Sequence, residues 1–290
     1  MPQITLKINK RIFNDVYFPH LLDYSHRYEI YYGGAGSGKS HFVFQKFVIK
    51  ACQQQRKILV VRKTAKSNEN STFQMTKDTL NSFHLLDKCK INKTTQRIEL
   101  PNSSIFLFAG LDDVEKLKSI AGITDIIIEE ATEITAEDYN QLDLRLRAKT
   151  NNLQMACMFN PVSKSNWCYK QWFAENAEYD KEETFILHTT YKDNRFLPEA
   201  YIKSIEDLKT RNYTFYKVYA LGEFATLDKL VFTNWEIKQF NHELIQGELL
   251  IGLDWGFVND KTALICSLLV EEEKAIYIFD SFGQTGLTNP

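Results

Sequence analysis

Eight residues, GGAGSGKS at 33–40, constrain this chain more than any other stretch. They fit the pattern G-x-x-x-x-G-K-[ST] through Gly33, Gly38, Lys39 and Ser40, and the flanks supply the context that the pattern needs. RYEIYYGG (27–34) reads as a buried strand entering a glycine turn, and SHFVFQKFVIKACQQQ (40–55) reads as a helix. In such a strand–loop–helix unit, glycines let successive backbone N–H groups converge on phosphate oxygens while the new helix adds its positive end. The expected nucleotide-holding residues are therefore Gly33, Gly34, Ala35, Gly36, Ser37, Gly38, Lys39 and Ser40. Lys39 suits the β and γ phosphates of ATP, and the Ser40 hydroxyl suits Mg²⁺. A purely structural glycine turn leaves Lys39 and Ser40 unexplained.

A phosphate loop that hydrolyses also needs an acidic strand end, and DIIIEE (125–130) supplies one. Glu129 ends the apolar run where a side chain can order the water shell of Mg²⁺, and Glu130 comes next, where a carboxylate can activate the attacking water. The first acid at such a site is usually aspartate, so Glu129 is a departure with a longer arm. MFNP (158–161) closes the next strand, and Asn160 there is a candidate sensor of the γ phosphate, with a simple strand-stopping Asn-Pro turn as the alternative.

The elements between these motifs alternate. Strands are expected at 56–63, 124–134 and 153–161, helices at 73–86 and 136–149, and a hairpin over 96–110 around the PNS turn. Alternation of this kind predicts a parallel-containing sheet with helices on both faces. From 165 to 225 the pattern reads as a smaller helical appendage with one strand at 184–190; 226–247 has weak periodicity and marks the boundary. Beyond it, 248–256, 262–270 and 274–282 form an apparent three-strand meander.

Composition narrows the class without naming a partner. With 44% apolar and 13% aromatic residues in 290, the chain can fill a large core. A formal charge of -2, from 35 basic and 37 acidic side chains, means that a polyanion must be met by local patches. The five cysteines are far apart with no CxxC pair, which fits reduced packing residues better than disulfides or a zinc site. No apolar run approaches the roughly 18 residues of a membrane span, so the expectation is a chain that stays in the compartment where it is made.

Taken together, RYEIYYGGAGSGKS, GLDDVEKLKSIAGITDIIIEEATEI, LRLRAK, MFNP, HTTYKDNRFLP and IGLDWGFVNDKTA resemble, in order and spacing, the large terminase subunit of tailed bacteriophages in its PBSX-like branch. The resemblance implies an α/β fold: an ASCE-type P-loop ATPase motor over 1–225 with a helical lid subdomain at about 165–225, a linker at 226–247, and the first strands of an RNase H-like nuclease domain at 248–290. It implies ATP-driven packaging of double-stranded DNA into a procapsid in the host bacterial cytoplasm. The implied partners are the portal protein, the small terminase subunit and further copies in a homo-oligomeric ring, with a monomer in isolation. By the same likeness Asn160 couples hydrolysis to movement, and Arg27 and Tyr28 contact the base or ribose.

Two features depart from that pattern. Some relatives carry arginine where this chain has Ala35, so another cation must neutralise the transferring phosphoryl group. Lys118 and Lys116 are candidates for donation to a neighbouring subunit, with Arg145 and Arg147 as alternatives and a solvated face as the bland reading of all four. In the second feature, Asp254 is implied as the first carboxylate of a nuclease centre using two Mg²⁺ or Mn²⁺ ions. Asp260 and Asp280 read more simply as turn and surface acids. The expectation is an incomplete cutter whose isolated meander exposes an apolar face and an unprotected edge. A helicase-like DNA ATPase and an inactive nucleotide-binding or assembly remnant are the competing readings.

Overall fold

The computed structural model describes residues 4, 6, 8–112, 120–225, 238–256 and 261–285. The chain divides into two compact units, Met1–Val231 and Phe232–Pro290. The expected linker at 226–247 falls largely outside the described residues.

An eight-stranded sheet organises the first unit, in the order β3-β4-β5-β2-β6-β7-β1-β8. The six strands β5 (Ile105–Gly110), β2 (Lys57–Arg62), β6 (Asp125–Glu129), β7 (Gln154–Phe159), β1 (Tyr28–Gly33) and β8 (Thr184–Thr189) are mutually parallel. The short β3 (Lys90–Asn92) and β4 (Arg97–Glu99) add antiparallel, with β4 and β5 forming the expected hairpin. β6 and β7 are buried along their whole length, which is why each reads as an unbroken apolar run and not as an alternation.

One face of the sheet packs on α1 (Lys39–Gln53), α3 (Thr72–Ser82) and the N-terminal segment, through Tyr31, Phe44, Phe47, Phe73, Phe106 and Tyr17. The other face packs on α4 (Ala136–Asp143) and α5 (Trp167–Trp172), through Ile30, Ile128, Tyr139, Leu142 and Trp172. Neighbouring Ile30 and Tyr31 enter opposite cores, as strand geometry requires.

Helix α1 is held by charge as well as by packing. Lys46 Nζ lies 2.6 Å from Glu29 Oε1, and Lys50 Nζ lies 2.6 Å from Asp125 Oδ1, with all four side chains almost wholly buried. Further hydrogen bonds support the pairs: Glu29 accepts from Tyr31 Oη at 2.9 Å and Gln154 Nε2 at 2.8 Å, and Lys50 also donates to Gln154 Oε1 and the Asn152 carbonyl. Bonds of this number offset much of the desolvation of the buried charges, though Arg56 Nε, 3.9 Å from Asp125 Oδ2, is buried without a hydrogen-bond partner.

Three expectations are revised. The helix expected at 73–86 is α3, which ends at Ser82, and an unexpected short α2 (Ala65–Asn70) precedes it, capped by Thr64 and held by the buried Asn68 amide on the Ala109 carbonyl. The helix expected at 136–149 stops at Asp143, where the Arg27 guanidinium takes the carbonyls of Asp143 and Leu146. The appendage over 165–225 is not separate from the sheet, since β8 pairs with β1 as an edge strand of it. Beyond β8 lie α6 (Glu199–Arg211), a short turn, and a π-helical segment Tyr216–Leu221 around its own small cluster of Tyr191, Ile205, Tyr216 and Ala220.

The second unit is the antiparallel meander expected from its pattern, β11-β10-β9, with β9 (Glu248–Asp254), β10 (Lys261–Val270) and β11 (Ala275–Thr285). Leu249, Ile251, Leu253, Ile276 and Ile278 are exposed on it.

The Lys46→Met variant strands the Glu29 carboxylate inside the core, and the expected cost is about 3–5 kcal/mol. Urea unfolding of the two chains measures it; a difference below about 1 kcal/mol, the range of an exposed pair, contradicts the buried-network account.

Candidate active site

The parallel register brings the sequence-marked groups to one edge of the sheet. Tyr31 of β1 is level with Met158 of β7, and Met158 with Glu129 of β6. The phosphate loop, Glu129, Glu130 and Asn160 therefore all leave the C-terminal ends of adjacent strands.

The loop is built by close main-chain approach. A Cβ at Gly33 would lie 1.7 Å from the Thr189 carbonyl oxygen, so only glycine fits between β1 and the end of β8. Gly38 takes a left-handed conformation, φ +85°, and starts α1 without a side-chain cap, which leaves the first-turn N–H groups of the helix for a ligand. Two loop carbonyls are held by side chains from outside the loop: Tyr17 Oη donates to the Ser37 carbonyl at 3.1 Å and Asn194 Nδ2 to that of Gly36 at 2.7 Å. Asn14 Nδ2 donates to Asn194 Oδ1 at 3.1 Å. Three loop amides are committed as well, Gly34 N–H to the Thr189 carbonyl at 3.0 Å, Ala35 N–H to that of Tyr219 at 2.7 Å and Ser37 N–H to that of Gly34 at 3.4 Å. The Ser37 hydroxyl is buried without a hydrogen-bond partner, a donor suited to an incoming oxygen.

Lys39 reaches across the loop to Asn160. Its Nζ donates to Asn160 Oδ1 at 2.5 Å and to the Gly34 carbonyl at 3.2 Å. Burial lowers the Lys39 pKa to about 8, against the opposing pull of Glu130 and Glu129. Both carboxyls are raised by burial; Arg62 is the chief influence holding Glu129 down, and Lys39 the chief one for Glu130. Glu130 also sits in left-handed backbone, φ +55°, a conformation that costs a non-glycine residue energy and recurs at functional positions. A hydroxyl at Ser40 and a carboxylate at Glu129 are hard oxygen donors, and that donor set suits Mg²⁺.

Other expected residues fall elsewhere. Arg27 and Tyr28 lie at the N-terminal end of β1, about 17 Å along the strand from Gly33 at the usual rise per residue. There, Arg27 pairs with Asp143 at 2.8 Å and Tyr28 donates to the same carboxylate at 3.1 Å, a clamp on the end of α4 at the opposite sheet edge from the phosphate loop. Arg145 and Arg147 flank Leu146, whose carbonyl Arg27 also holds, and so stand at that far edge. Lys116 and Lys118 lie outside the described residues.

Asp254 ends β9, level with Ala263 and, through it, Gly283. Asp280 lies three residues before Gly283 on β11 and therefore on the opposite face of the meander from Asp254. Asp260 lies outside the described residues. Among the described residues, no cluster of three or more His, Cys, Asp or Glu is placed to hold a metal, and Asp254 and Asp280 do not converge as two-metal cleavage requires.

Residues without a motif complete the phosphate site. Tyr17, Thr189, Asn194 and Tyr219 fix the loop directly, Tyr219 from 184 positions after Ala35, and Asn14 acts through Asn194; Arg62 closes on Glu129 from the end of β2, 3.7 Å away. Asn194 lies within the HTTYKDNRFLP stretch, the one signal of it that the sequence carries.

Comparison with known proteins is consistent along most of the chain. A family profile described as phage terminase large subunit matches residues 25–223. The PBSX phage terminase large subunit of Bacillus subtilis (strain 168) is 29% identical over 93% of this chain and 68% of its own length. The large terminase subunit of Bacillus phage SPP1 is 27% identical over 86% of this chain and 62% of its own length. The chain thus spans about two thirds of these relatives. The large terminase of a thermophilic bacteriophage, solved in complex with ADP, shares the fold with a TM-score of 0.62 at 15% identity, over 94% of this chain and 69% of that one.

The Lys39 pKa near 8 gives a signed expectation. Phosphate favours the charged amine, so binding takes up a proton once Lys39 is neutral. Affinity for ADP is flat below about pH 7 and falls by up to about tenfold per unit above the lysine pKa. Calorimetry at about pH 8.5, just above that pKa, in two buffers of different ionisation enthalpy counts the proton; no uptake there contradicts the assignment.

Proposed function

The chain belongs to the phage terminase large-subunit family, and from that membership we propose that its first unit is the ATP-hydrolysing motor that drives double-stranded DNA into a viral procapsid. The observation that carries the reading is Lys39, buried and bonded to Asn160 at 2.5 Å on the same sheet edge as the Glu129–Glu130 pair. A cation that already bridges the phosphate loop and the next strand end is suited to exchange Asn160 for phosphate oxygens, which makes occupancy legible to β7.

In this reading the loop and the uncapped start of α1 bind the β and γ phosphates of ATP. Ser40 and, through water, Glu129 would hold Mg²⁺, which when bound neutralises charge on those phosphates. Glu130, its carboxyl raised toward neutrality by burial, accepts the proton of the attacking water. Asn160, released by Lys39, is free to bond elsewhere, and that exchange is the step that couples turnover to movement of the strand end. The cation that stabilises the transferring phosphoryl group is assigned to Lys118 of a neighbouring subunit in a homo-oligomeric ring.

The partners in this reading are double-stranded DNA, the portal protein and the small terminase subunit, in the host bacterial cytoplasm. Among the described residues no helix is long and apolar enough to cross a membrane. DNA is met through phosphates and not through base edges, as a motor indifferent to sequence requires.

Mg²⁺-dependent ATP hydrolysis, with and without double-stranded DNA, tests the proposal. Hydrolysis that DNA stimulates and that Lys39→Ala abolishes is the expected result. Hydrolysis indifferent to DNA removes the motor reading and leaves a plain ATPase. Glu130→Gln is expected to keep nucleotide affinity and lose about 10²–10⁴-fold in turnover; unchanged turnover removes Glu130 as the base.

A further inference from the structure

Arg62 is the last residue of β2 and stands beside Glu129, the last residue of β6, because Val61 pairs with Ile128. Its guanidinium is spread over three elements. Nη1 donates to Ser71 Oγ at 3.2 Å, at the break between α2 and α3, and Nη2 to Glu133 Oε2 at 3.4 Å. Nε is buried with no hydrogen-bond partner, and Glu129 Oε2 lies 3.7 Å from it. Ser71 Oγ, whose proton goes to the Ser67 carbonyl at 2.7 Å, packs 3.4 Å from that same Glu129 oxygen. Both neighbours thus crowd Oε2 and leave Oε1 to face elsewhere.

We propose that Arg62, assisted by Ser71, is the positioning residue for the metal-side carboxylate: it occupies Glu129 Oε2 and so turns Oε1 toward the phosphate loop. The inference rests on the reading of this loop as a nucleotide site. Groups that hold the far side of a metal-site carboxylate set the orientation and charge of the near side, and their loss typically costs about 10–100-fold in metal affinity. The unspent Nε donor fits this role, because a small approach of Oε2 completes its hydrogen bond. Arginine is required for its fork: one lysine amine cannot reach Ser71, Glu133 and Glu129 in three fixed directions.

The test separates metal from nucleotide. ADP affinity of the full chain is measured by calorimetry in EDTA and across a Mg²⁺ titration, for the parent, Arg62→Gln, Arg62→Lys and Ser71→Ala. The expected result is an unchanged EDTA affinity in every chain. The Mg²⁺ concentration for half-maximal gain rises about 10–100-fold in Arg62→Gln and less in Arg62→Lys and Ser71→Ala. An unaltered Mg²⁺ requirement in Arg62→Gln overturns the proposal, as does an equal loss of ADP affinity with and without Mg²⁺, which marks a merely structural residue. Should Arg62→Gln not fold, Arg62→Lys and Ser71→Ala decide by the same two criteria. A parent chain that binds no ADP at all overturns the nucleotide reading itself, a failure distinct from those of the variants.

Discussion

Two lysines one helical turn apart, Lys46 and Lys50, fix α1 against the sheet through ion pairs with Glu29 and Asp125. Apolar packing alone would let a helix roll or slide by a fraction of a turn at small cost. Buried charge does not, because each displacement strands a carboxylate in a medium that cannot solvate it. The pairs sit near the N-terminal ends of β1 and β6, at the opposite edge from the phosphate loop. They therefore set the height and rotation of the helix whose other end presents Lys39 and Ser40. The chemistry at one edge of the sheet is aimed by electrostatics at the other.

At the working edge the protein satisfies its own groups provisionally. Lys39 borrows Asn160 and loop carbonyls, and two further loop carbonyls are taken by Tyr17 and Asn194. The first turn of α1 and the Ser37 hydroxyl are left for an anion. A site that exchanges one set of bonds for another on binding has a net affinity equal to the difference between two well-made arrangements.

The parts of this site that are legible in the sequence are contiguous ones. GGAGSGKS and DIIIEE each carry their chemistry in consecutive residues, and alternation of strands and helices points to the parallel sheet. Contacts that close the site over long separations are not legible, because Asn14 and Asn194 meet only once β8 has been added beside β1. Arg62 reads as an ordinary charge after an apolar run, and its meaning depends on β2 lying next to β6, a topological fact that spacing does not encode. Arg27 and Tyr28 show the converse. They are near the loop in sequence, yet β1 runs between them and the end from which the loop leaves. Helix ends are overrun where a side chain from elsewhere takes the carbonyls, as Arg27 does at Asp143 and Leu146.

The bond from Ala35 N–H to the Tyr219 carbonyl has a different kind of implication. It is a main-chain contact made from a π-helical segment, Tyr216–Leu221, and a π-turn is in effect an α-turn with one residue too many. Tyr216, Val218 and Ala220 of this segment are buried, and its residue count is constrained as tightly as its side chains. Loss of a single residue would restore ordinary helical register and swing the later carbonyls by about 100°, the angle of one α-helical step, away from the loop. In this part of the chain, length is therefore a structural requirement in its own right, beside the packing of its buried side chains.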